Sequence, residues 1–163
     1  MAKIKSSLLG IYLGVTKEAD SYSRVGSNCE SATVNMNPTE NDYADITMDT
    51  RQTDLESYKV TVEASGVFDK QDPVYDLFYD MYRGQKVLDD ARLPMVIVHM
   101  FDNNKADLYE DSTVTVNSLE LTGAEAISVD FKISANRAPI AGTATLSKGV
   151  KDKDTATFTA DTP

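Results

Sequence analysis

Between Tyr58 and Gly84 the spacing of apolar positions changes from a period of two to one near 3.6. Tyr58, Val60, Val62 and Ala64 alternate with Lys59, Thr61, Glu63 and Ser65, the pattern of a strand with one buried face. After a connection over 66–71, Asp72 supplies an N-cap carboxylate and Pro73 fits the first helical position, where its missing N–H costs nothing. Val74, Leu77, Phe78 and Met81 follow at i, i+3, i+4 and i+7, which predicts an amphipathic helix over about 73–83 whose apolar stripe covers the sheet. Gly84 is the expected C-terminal stop. Tyr75, Tyr79 and Tyr82 make a second stripe, which reads either as packing at the domain edge or as a subunit contact.

Other stretches read mostly as strands. Residues 8–15 form a short one, 16–28 a polar connection, and 29–36 a second strand with Ala32, Val34 and Met36 opposed to Ser31, Thr33 and Asn35. Asn37 and Pro38 punctuate it, and residues 37–57 then carry six acids against one base, Arg51. Tyr43, Ile46, Met48 and Leu55 are interspersed, so this segment is an excursion that orders against something rather than a purely disordered acidic run. The run PMVIVHMF over 94–101 predicts a strand covered on both faces, one of them meeting the helix. Residues 102–111 read as an acidic connection. Over 113–121 the apolar parity slips between Val114/Val116 and Leu119/Leu121, which predicts a bulge or a corner. Ile127, Val129, Phe131 and Ile133 alternate cleanly, 136–139 turns, and 140–146 is the expected last strand. The tail 147–163 offers only Phe158 as an anchor and is expected to be a flexible arm beyond a single domain over 1–146. The fold class is mainly β (α+β), with one flanking helix.

Composition narrows the chemistry. A chain of 163 residues can bury a core without staples, and the single cysteine, Cys29, cannot form an internal bridge. The net charge of −10 argues against stable nucleic-acid binding, which relies on Lys and Arg displacing counterions. No apolar run approaches the roughly 20 residues of a membrane span, and MAKIKSSLLGIYLGV reads as a strand rather than a signal peptide. Cys29 and His99 are each alone of their kind, and nothing in the sequence pairs them for catalysis or zinc binding. Asp102 to Asp111 has a calcium-loop flavour, but Ala106, Asp107 and Thr113 stand where such a loop needs a ligand, a glycine and a glutamate. There is no Trp to serve as a sugar platform, and no phosphate loop, nucleophile elbow or dinucleotide fingerprint. No catalytic, cofactor or metal site is expected.

Four passages in this order resemble the major tail tube proteins of long-tailed bacteriophages. They are ESATVNMNPTENDYADITMDT, SYKVTVEASGVF, DPVYDLFYDMYRG and TVTVNSLELTGAEAISVDFKISANRAPIAGTATL, together within residues 29–146. The resemblance implies a β-sandwich or barrel-like domain flanked by one helix, assembled as rings of six that stack into a tube. It implies that inner sheets join around each ring into a barrel with a negative lumen through which DNA passes without specific binding. A long arm would contact the adjacent ring; here that is the part of the excursion from Asn37 to Asp54, with Asn41, Tyr43, Asp45, Ile46 and Met48 as its contact residues. Implied partners are further copies of the chain and the tape measure, tail terminator and distal tail proteins. Implied locations are the virion tail and, during assembly, the host cytoplasm, with no membrane. Two other readings stay open: a monomeric β-sandwich binding module, and the tube protein of a related contractile injection or secretion machine.

Overall fold

The computed structural model describes residues 3–25, 29–44, 46–47, 50–67, 71–123, 125–148 and 154–162. Among these the elements run β1 (Leu9–Leu13), β2 (Tyr22–Val25), β3 (Cys29–Asn35), β4 (Pro38–Tyr43), β5 (Gln52–Tyr58), β6 (Thr61–Val67), α1 (Pro73–Gly84), β7 (Arg92–His99), β8 (Lys105–Glu120), β9 (Ser128–Ala135), β10 (Ile140–Lys148) and β11 (Asp154–Ala160).

Six strands close on themselves in the order β10, β11, β2, β1, β7, β8, with β8 returning to β10. Closure leaves no edge within that ring of strands. Its interior is filled by Tyr12, Tyr22, Val96, Val98, Ala106, Ala144 and Ala156, with Phe158 and Met100 packed against them. Beyond the barrel, β8 continues as the first strand of a second sheet, β8, β9, β6, β3. The strand shared by the two has 16 residues. Its register against β9 shifts between Val116 and Ser118, the bulge that the parity slip predicts.

A second core lies outside the barrel. Ile11 and Leu13 of β1 and Leu93, Met95 and Ile97 of β7 face Val62, Phe131 and Ile133 across the buried stripe of α1. Phe78 of the helix meets Phe131 at 4.4 Å between ring centroids. Strand β7 is therefore covered on both faces, since Val96 and Val98 point into the barrel while Met95 and Ile97 point out of it.

Several expectations are corrected. The 16–28 connection contains β2, and the supposed acidic connection over 102–111 is the end of a five-residue turn, 100–104, followed by the first half of β8. Asn103 and Asn104 take the left-handed conformation in that turn, at φ 52 and φ 55, which amide side chains tolerate. The 147–163 tail is not a loose arm in its described part. Strand β11 pairs with β10 from Gly142↔Ala160 to Lys148↔Asp154 and with β2 through Ala156↔Tyr22, so it completes the barrel. The helix is capped as expected, Val74 N–H donating to Asp72 Oδ1 at 3.0 Å. Its left-handed C-terminal residue is Gln85, not Gly84, and the Gln85 N–H returns to Met81 and Tyr82.

Candidate assembly surfaces

The excursion forms a hairpin of β4 and β5, a two-stranded sheet of its own. Every residue of both strands is exposed, so the hairpin projects from the body. Its root is fixed by Asn37, which adopts φ 42 and donates from Nδ2 to Lys59 O at 3.0 Å and to Thr61 Oγ1 at 2.9 Å. The Lys59 N–H closes the root onto Met36 O. Asn41 pairs with Asp54. Tyr43 ends β4 with its hydroxyl donating to Gln52 Oε1 at 3.0 Å, and Ile46 at the tip is fully exposed. Asp45 and Met48 lie outside the described residues.

The tyrosine stripe divides. Tyr79 and Tyr82 are exposed, whereas Tyr75 is 2% exposed and packs in the core beside Phe78, so Tyr75 has no free surface to offer a neighbour. A buried stripe of Val74, Tyr75, Phe78 and Met81 is wider than the expected one because α1 packs against barrel and second sheet together. Arg83 Nη1 donates to the Tyr79 hydroxyl at 3.2 Å.

One surface escaped the sequence reading. The register of the second sheet sets three cross-strand rows on its outer face: Asn35, Thr61, Ser134, Thr113; then Thr33, Glu63, Lys132, Thr115; then Ser31, Ser65, Asp130, Ser118. All twelve side chains are polar. Glu63 and Asp130 face the single base Lys132, which reaches Glu63 at 3.4 Å. The opposite face of the same strands is core: Val34, Val62, Ile133 and Val114 form one row. Both margins of this sheet are open. Among the described residues β3 pairs only with β6, and β8 beyond Thr113, where its pairing with β7 ends, pairs only with β9. The alternation in each strand was readable; the rows depend on pairing between strands some 30 residues apart in sequence, such as Thr33 with Glu63.

Among the described residues no group of three or more His, Cys, Asp or Glu converges to hold a metal. Cys29 Sγ lies 3.1 Å from Ser65 O on the open margin, while His99 at the end of β7 holds Asp107 at 3.1 Å and meets Phe101 edge-on. They are on separate strands with separate partners. Among the described residues no helix is long and apolar enough to cross a membrane.

No family model matches this sequence, and no curated protein matches it at the sequence level. Solved structures do match in fold. A chain from the tail of an empty gene transfer agent particle with C6 symmetry has a TM-score of 0.65 at 11% identity, covering 84% of this chain and 97% of that one. A chain from the virion of a native gene transfer agent particle gives 0.57 at 12% identity, with 97% and 100% covered. One from the sheath–tube complex of an extracellular contractile injection system gives 0.52 at 10% identity, with 86% and 92% covered. The fold is therefore that of tail and injection-system tube proteins: mostly β, a closed six-stranded barrel with added strands and one helix.

Proposed function

We propose that this chain is a non-enzymatic structural subunit that assembles into stacked rings, six copies to a ring, forming the tube of a phage tail. The observation that carries the reading is the second sheet, with two open margins and two opposite faces. Margin β3 of one copy can pair with the free part of β8 in the next, a head-to-tail contact that closes into a ring when the rotation fits. Such a ring turns the all-polar rows toward one side and the helix and barrel toward the other. Rows of Ser, Thr and Asn with two acids and one base, on a chain of net charge −10, make a wall that repels a polyanion and lets DNA slide. The ring size follows the C6 symmetry of the gene transfer agent tail, and the projecting hairpin is the arm that joins one ring to the next.

On this reading the partners are other copies of the chain, with tape measure, tail terminator and distal tail proteins at the tube's ends, and the protein resides in the virion tail after assembly in the host cytoplasm. Negative-stain microscopy tests it directly: rings and tubes are expected from purified protein, alone or with initiation proteins. A monomer that never associates under any condition refutes it. Removing residues 41–49 is expected to leave a folded protein that does not form tubes, and normal tubes from that deletion refute the arm assignment.

The likeness to the injection-system sheath–tube complex favours, as second reading, the tube of a contractile machine. A sheath gene beside this one is the discriminating observation.

A further inference from the structure

The root of the hairpin carries a groove of about 650 Å³. Buried Tyr109 forms part of its lining, the exposed apolar side chains of Met36 and Tyr58 flank it, and Lys59, Arg137 and Pro139 complete the part that matters here. Among the described residues that line it there is no Asp or Glu, on a chain with 26 acids against 16 bases. The hairpin has the opposite character: Glu40, Asp42, Asp54 and Glu56 are exposed along its strands, and its tip presents Ile46 with no cover. An apolar tip on an acidic stem complements an apolar groove rimmed by two bases.

The hairpin cannot fill its own groove. Pairing runs from Pro38↔Tyr58 at the root to Tyr43↔Gln52 near the tip, and at about 3.3 Å per residue that ladder holds the tip roughly 17 Å from Tyr58. The occupant must come from elsewhere. We propose that the groove between the hairpin root and the Asn136–Pro139 turn receives the hairpin tip of a second copy, in the next ring of the tube. Tip and groove are different surfaces of one chain, so the contact is head-to-tail, and such a contact generates a filament when its rotation does not close. The inference rests on the tube reading and supplies its axial joint, leaving the lateral joint at β3 and β8 untouched.

The test uses full-length protein with Cys29→Ala, Thr47→Cys and Ala138→Cys, which places one thiol beside Ile46 and one on the groove lining. Mild oxidation is expected to give a ladder of covalent dimers, trimers and larger species on a non-reducing gel, and mixing the two single-thiol proteins is expected to give only their heterodimer. No ladder, or dimers only through position 47 with itself, overturns the proposal. Lys59→Glu with Arg137→Glu is expected to weaken assembly, read by sedimentation, at least about tenfold. If the 41–49 deletion abolishes tubes while this double variant assembles like wild type, the groove assignment fails and the tube reading stands. If the deletion protein still forms tubes, the arm reading fails first.

Discussion

Asn37 and Thr61 are joined side chain to side chain at 2.9 Å, and this bond ties the root of the projecting hairpin to the first residue of β6, in the sheet that forms the polar wall. Asn37 also sits at φ 42, where an amide residue is tolerated and an alanine is strained. Asn37→Ala is expected to lose about 1–2 kcal/mol in urea unfolding, from backbone strain and the lost bonds together. Asn37→Gly removes the strain and keeps the loss of the bonds. It is expected to unfold within about 1 kcal/mol of wild type while forming fewer or shorter tubes, because the hairpin's direction is no longer fixed. Wild-type tubes from Asn37→Gly refute this role.

Gly142 in β10 has no room for a side chain. A Cβ there meets the backbone oxygen of Thr159 and approaches Phe158 Cζ at 2.6 Å, so the obstacle includes a strand and not only a flexible side chain. Gly142→Ala is expected to push β11 off the barrel and cost about 1–3 kcal/mol. Hydrogen exchange should show the loss concentrated in the amides of 155–160. Uniform protection across β11 and β10 in that variant contradicts the barrel closure described above.

How much of this was legible in the chain depends on how local each signal was. Asp72, Pro73 and the spacing to Met81 specify a capped helix within a dozen residues, and the alternation through Phe131 specifies β9; both stand as read. The parity slip near Val116 was legible for the same reason. Strand β11 was not. Its sequence DTATFTA has only Phe158 as a large apolar residue, because the barrel interior is already filled by Tyr12 and Tyr22 and accepts Ala156 at 1% exposure. Charges hid the first half of β8 similarly: Lys105 and Asp107 alternate with Ala106, which the interior holds, and Glu110 is exposed. Tyr75 was misplaced because the helix contacts two layers, which no single-stripe pattern reveals. The polar rows and the root groove arise from register between distant strands, so no window of sequence contains them.

Tyr22 and Tyr109 set an alkaline limit. Burial raises the Tyr22 hydroxyl above its ordinary value, with Asp20 and Glu110 adding to the effect; burial and then Asp107 raise Tyr109. A raised acid keeps its proton in the folded state after the unfolded chain has lost it. The stabilising contribution is therefore complete below about pH 10 and is lost as pH climbs through the folded values. Unfolding free energy is expected to hold level approaching pH 10 and to fall above it, with a shallower fall in Tyr109→Phe. Phenolate absorbance should show Tyr22 and Tyr109 ionising above the ordinary phenol range. Ionisation of both at the ordinary phenol value contradicts the burial.

The lateral joint can be tested at β3 itself. In an antiparallel pair, adjacent residues alternate between bonding the partner strand and pointing their N–H outward. Of Ala32 and Thr33, which face Ala64 and Glu63, one therefore bonds β6 and the other offers its N–H to the open margin. Proline removes that donor and is tolerated on an edge strand only where the N–H faces away from the sheet. Ala32→Pro and Thr33→Pro should thus separate. One is expected to lose at least about 1 kcal/mol of monomer stability from a broken ladder bond. The other is expected to unfold close to wild type yet form no closed rings, because the bond it lacks belongs to the neighbouring copy. Negative-stain microscopy and urea unfolding on the same preparations read both outcomes. Rings from both prolines would place the joint elsewhere, and loss of folding in both would mean that β3 is already covered on its outer side in the monomer.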